Sequence, residues 1–122
     1  IEGNVIAGTV YTGTVQFLNE FESPAENITI EVLEEADEHQ VFYSFTGSSD
    51  STTTYNDSDQ NGNPVGVSFS FNAGSESTNN TITVTLRHEP AKDAEGVSDG
   101  IITNAGGETD VEVTFPLAII NA

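Results

Sequence analysis

The sequence predicts a mainly β protein: an antiparallel β-sandwich or open barrel of six to eight strands, with one short helix near residues 24–36. Three observations carry that expectation. Apolar residues recur at every second position in several runs, the period of a strand with one buried face. Those runs are rich in Thr, Val, Phe and Tyr, which suit a pleated, half-buried surface. A single segment carries helix-start chemistry. At 122 residues the chain has room for one core, so residues 1–122 are read as one domain.

Along the chain, Tyr11, Val15 and Phe17 form a weak first alternating run. Ser23-Pro24-Ala25-Glu26 then reads as a capping box, with proline at the first helical position where its missing N–H costs nothing. Ile28, Val32 and Ala36 follow at intervals of four, one stripe of a helix. A strand through Ile28, Ile30 and Val32 is the competing reading, and the acids at the helix C-terminal end oppose its macrodipole. Val41, Tyr43 and Phe45 alternate next, then Val65, Val67, Phe69 and Phe71, then Ile82, Val84, Leu86 and His88. The last run, Val111, Val113 and Phe115, meets Pro116, which points to an edge strand or a bulge. Residues 57–64 form a turn. Residues 89–110 make a long loop containing Gly96, Gly100, Gly106 and Gly107. Loops beyond about 12–15 residues usually bind something or fold on themselves.

Charge narrows the function classes. Twenty Asp and Glu face two basic residues, Arg87 and Lys92, for a formal charge of −18. Such a field repels phosphate backbones, so nucleic acid is excluded as a partner. It attracts cations and basic partners, or serves only solubility in salty water. The chain has no Cys, so neither disulfides nor a thiolate nucleophile is available. It has no Met and opens at Ile1, so a processed product, a fragment or an excised piece lacking an N-terminal segment of the precursor is expected. No run approaches the roughly 20 apolar residues of a membrane span.

Two places could hold a metal. In Asp57-Ser58-Asp59-Gln60-Asn61-Gly62-Asn63, oxygen side chains at alternate positions before a glycine could wrap calcium through Asp57, Asp59, Asn61 and Asn63. The twelfth position is Ser68 rather than a bidentate Glu, and the same residues are ordinary turn formers. The second place is the pair of histidines, His39 at the helix-to-strand junction beside Glu35 and Glu38, and His88 at the end of a strand. With a carboxylate from Glu38 or Glu89 they could hold Zn²⁺, Cu²⁺ or Ni²⁺; otherwise they are a capping and a sheet-edge histidine. For catalysis there is little: no nucleophile elbow, zinc-protease motif or phosphate loop occurs. Glu35, Glu38 and Glu89 as glycosidase carboxylates lack a Trp on which a sugar could stack.

Leu86-Arg87-His88-Glu89-Pro90, Glu95-Gly96-Val97 and the run from Ile102 to Val113 carry a resemblance, as do Phe17–Glu20, Ser23–Thr29 and Glu35–Gln40. Over most of residues 9–119 the chain resembles small acidic outer-membrane or periplasmic lipoproteins of marine flavobacteria and related Bacteroidota. Members often carry the label "type 1 periplasmic binding fold superfamily protein". One helix among alternating strands does not build that two-lobed α/β fold. The resemblance implies an extracytoplasmic site, periplasmic or at the cell surface, with membrane contact only through a lipid anchor outside this chain. It also suggests an outer-membrane transporter or another cell-envelope protein as partner. The expected function is non-enzymatic binding of a small ligand or metal ion, accessory to outer-membrane uptake. The alternative is a structural or adhesive surface module, stiffened by calcium.

Overall fold

The computed structural model describes residues 5–19, 23–24, 26–47 and 50–121. Its elements in chain order are β1 (Val5–Ile6), β2 (Val10–Thr14), β3 (Leu18–Asn19), β4 (Glu26–Asn27), α1 (Thr29–Glu34), β5 (His39–Thr46), β6 (Thr52–Tyr55), β7 (Ser68–Asn72), β8 (Ser77–His88) and β9 (Glu108–Ile120). One sheet runs β1-β9-β8-β5 and a second runs β2-β7-β6, while β3 and β4 make a small ribbon. All pairings are antiparallel except β1 with β9. The protein is therefore mainly β, with two sheets, one of them curled into a half-barrel.

Register builds the core directly from the alternation. Val41, Tyr43 and Phe45 of β5 stand opposite Leu86, Val84 and Ile82 of β8, and those three stand opposite Val111, Val113 and Phe115 of β9. A shift of one residue would turn the whole set to solvent, so the inward row pins the register. Val32, Val65, Val67 and Phe17 close over that row, and Phe71, Ala73, Leu117 and Ile119 continue the core toward the other end. Burying each Val or Leu contributes about 1.5–3 kcal/mol, enough to set the architecture.

The helix is shorter and later than its start signals predict. Ser23 and Pro24 lie in an exposed bend, and Ala25 falls outside the described residues. Glu26 and Asn27 pair instead with Asn19 and Leu18, so a strand ribbon takes the predicted first turn. The start is made by other groups: Asn27 Oδ1 accepts from the Thr29 N–H at 3.1 Å, and the Thr29 hydroxyl accepts from the Phe17 N–H at 2.7 Å. The stripe itself is as expected, with Val32 1% exposed and Ile28 and Ala36 packed on the core, whereas Ile30 faces out. No basic residue occupies the last turn, and the chain leaves α1 at Glu35 for a 3-10 turn over Ala36–Glu38.

Two other expectations are refined. Val65 and Val67 are buried but precede β7. Pro116 lies inside β9, opposite Thr81, where β9 is the sheet's margin, and the irregularities fall elsewhere, between Ser77 and Asn80 and between Leu86 and Arg87. The long loop folds on itself. Two 3-10 turns, Val97–Asp99 and Ile102–Asn104, bring Val97 and Ala105 onto Phe42. Phe42 points away from the main core, so the loop covers the outer face of the first sheet. No described helix is long and apolar enough to cross a membrane.

Candidate metal centre

β5 starts at His39, directly after the 3-10 turn, and β8 ends at His88. The antiparallel register places them opposite each other, one step beyond the Val41–Leu86 pair on the same inner face. Their rings stack with centroids 4.8 Å apart and planes 9° from parallel. His39 is 7% exposed, and the His88 side chain about one third. The fold thus brings together two imidazoles whose meeting the sequence left open.

The partner carboxylate differs from the expected ones. Glu35, His39 and His88 offer ligand atoms that all lie within 4.8 Å of one another, and Glu38 and Glu89 are outside that group. Donors on one tetrahedral zinc sit about 3.3 Å apart, given metal–ligand bonds of about 2.0–2.1 Å, so closure needs side-chain rotations of an ångström or so. Glu38 lies beside Glu35 instead. A hydrogen bond with Glu35 holds the Glu38 carboxyl above its ordinary value, helped by partial desolvation and the negative charges of Glu35, Asp37 and Glu89. Glu89 sits at φ 55°, in the left-handed region, with its carboxylate 70% exposed and 4.0 Å from His88 Nε2. Its N–H donates to the Glu38 carbonyl at 2.6 Å, which ties the end of β8 to the 3-10 turn.

Two further features prepare the site. His39 Nδ1 lies 3.0 Å from the Glu35 carbonyl oxygen; because a carbonyl only accepts, Nδ1 carries the hydrogen and neutral His39 keeps its Nε2 lone pair free. The bulge in β9 adds a carboxylate. Leu86 pairs with Val111 and Arg87 with Thr109, leaving Asp110 as the extra residue, with Oδ2 3.9 Å from His39 Nε2. Glu35 stands four residues before His39, a spacing readable from a helical turn. Asp110 depends on a bulge that no local pattern announces.

The 57–63 turn uses its oxygens internally. Asp57 accepts from the N–H groups of Gly66 at 2.7 Å and Ser68 at 3.0 Å. Asp59, with a fully buried carboxylate, accepts from the N–H groups of Asn61 and Asn63 and from Lys92 Nζ at 2.9 Å. Asn63 Oδ1 accepts from the Ser98 hydroxyl at 3.4 Å, and Asn61 is exposed. Both carboxylates thus accept from N–H groups of the turn and its flank, and Asp59 also from an ammonium, as turn-forming acids do. Lys92 also donates to the carbonyls of Ala36 and Pro64. It was not among the residues singled out from sequence, yet it fastens the long loop to the base of the candidate centre. Burial alone would raise the Asp59 carboxyl; the Lys92 bond and the two N–H donors outweigh it and hold it below the usual range.

Comparison with family models, with curated proteins and with solved structures found no match.

Proposed function

We propose that this protein is a non-enzymatic extracytoplasmic binding domain that holds a zinc- or copper-class ion through His39, His88 and Glu35. The observation that carries the reading is the convergence of these three ligand atoms within 4.8 Å at one end of the sandwich. Two imidazoles with a carboxylate suit Zn²⁺ or Cu²⁺ rather than the hard calcium ion. Asp110, 3.9 Å from His39 Nε2, lies outside that group of three, as Glu38 and Glu89 do. Strong acidity and the likeness to envelope lipoproteins support the extracytoplasmic setting. They also make a cell-envelope protein, such as an outer-membrane transporter, the natural partner.

Titration calorimetry with Zn²⁺ and Cu²⁺ on untagged protein tests the reading. One saturable site is expected, with affinity lower at about pH 5.5 than at about pH 7.5 because protons compete for the imidazoles. His39→Ala and His88→Ala should each weaken binding by about a hundredfold, Glu35→Ala by about tenfold. Weak binding that survives all three changes would assign the metal to the diffuse acidic surface and refute the site. One observation favours a structural or adhesive module instead: the loop over residues 89–107 packs flat on Phe42 and leaves His88 uncovered.

A further inference from the structure

From Glu108 to Ala118, the margin of β9 that faces away from β8 pairs with no strand among the described residues; β1 meets β9 only at Ile119 and Ile120. Beneath that margin the sandwich is open. A groove of about 270 Å³ runs between β9 and the segment following β2, floored by Val84 and walled by Val111, Val113, Phe115, Leu18 and Ile28. Farther along the same seam, a second apolar hollow of about 170 Å³ lies between Tyr11 and Leu117. Val113 and Leu18, which both line this groove, are 42% and 46% exposed. An unpaired margin beside an apolar groove is the arrangement that accepts an added strand: the backbone bonds along the edge, and alternate side chains fill the groove.

Charge decides which strand fits. Glu108, Asp110 and Glu112 are exposed along β9, and the chain carries −18 overall. Its two cations are already engaged, Lys92 with Asp59 and Arg87 with Thr109 Oγ1 and the Gly106 carbonyl. A second copy would set acid against acid along this margin, so self-pairing is disfavoured. We propose that β9 is a docking edge for an extended segment of a partner protein whose residues alternate apolar and basic. The apolar side chains enter the groove, and on the opposite face a basic one meets Glu112. Pro116, which has no N–H, ends the paired stretch.

The probe is a short end-capped peptide alternating lysine and valine, kept monomeric. Its controls are a peptide of the same composition with the lysines in one block and one alternating glutamate and valine. Fluorescence anisotropy should show the alternating basic peptide binding, the glutamate peptide failing to bind, and the blocked peptide binding at least about tenfold more weakly. Val113→Asp should weaken binding by about tenfold or more by placing a charge in the groove, and Glu112→Lys by several-fold. Glu112 is exposed, so that variant keeps the test valid if Val113→Asp does not fold. Slowed amide exchange at residues 109–115 should accompany binding. Equal affinity for the blocked peptide, or full affinity in Glu112→Lys, would overturn the proposal in favour of unspecific charge attraction. A dimer at micromolar concentration whose amide protection maps to β9 would overturn it in favour of a second copy. Neither variant alters Glu35, His39 or His88, so failure here leaves the metal reading standing.

Discussion

At the scale of single residues, Lys92 shows how much a lone side chain can decide in a chain of this charge. Its ammonium is nearly excluded from solvent and meets Asp59 and two carbonyls, so all three of its donors are used. Removing one partner of such a pair strands the other charge and costs about 3–5 kcal/mol. Lys92→Met should therefore lower Tm by roughly 10–15 °C. Adding Asp59→Asn should recover part of the loss, since the amide oxygen still accepts from Asn61 and Asn63 without a stranded charge. The drop should be the same in calcium and in chelator, because the turn holds itself together without an ion. Because Asp59 is held below its unfolded value, its contribution is present above about pH 4 and disappears as pH falls through the lower folded value. A melting curve insensitive to Lys92→Met would show that the ion pair contributes nothing net.

Among the elements, what could be read from sequence divides by how local the controlling signal is. The strands over Val41–Phe45, Ile82–His88 and Val111–Phe115 were legible because alternation is a local consequence of burying one face. The helix stripe at Ile28, Val32 and Ala36 was legible for the same reason, with the other period. Its starting point was not: Ser23-Pro24 is a good local signal, but pairing of Glu26 and Asn27 with the Leu18 strand overrode it. The histidines were legible as candidates because each closes or opens a strand, and Glu35 by its nearness to His39 in sequence, whereas the approach of Asp110 depends on a bulge. The loop at 89–107 was recognisable as a folded segment by length and glycines, but not by the face it covers. That face yields a test. Val97→Ala, at a fully buried position against Phe42, should cost about 2 kcal/mol and speed amide exchange across residues 91–105. Zinc affinity should be unchanged, since Val97 and the imidazoles lie on opposite faces of β5. A parallel loss of affinity would make the loop part of the metal centre.

For the molecule as a whole, the acid excess and the candidate centre act on cations in different ways, and salt separates them. Eighteen net negative charges on a small domain repel one another, and the repulsion is stronger in the compact state than in the expanded one. Raising NaCl from about 10 mM to about 300 mM shortens the screening length from about 30 Å to below 10 Å, so Tm should rise. That gain needs no particular residue and should be the same in His39→Ala and His88→Ala as in the unmodified chain. Zinc at micromolar concentration is too dilute to screen anything. A Tm increase under those conditions reports binding to the folded state, growing with the logarithm of concentration above the dissociation constant. It should vanish in either histidine variant while the sodium chloride response persists. If zinc stabilises the variants as well as the parent chain, the ion is condensing on the acidic surface and the convergence of Glu35, His39 and His88 has no bearing on it. If NaCl fails to raise Tm even in the parent chain, the carboxylates are spaced and solvated well enough that their repulsion is negligible, and they serve solubility alone.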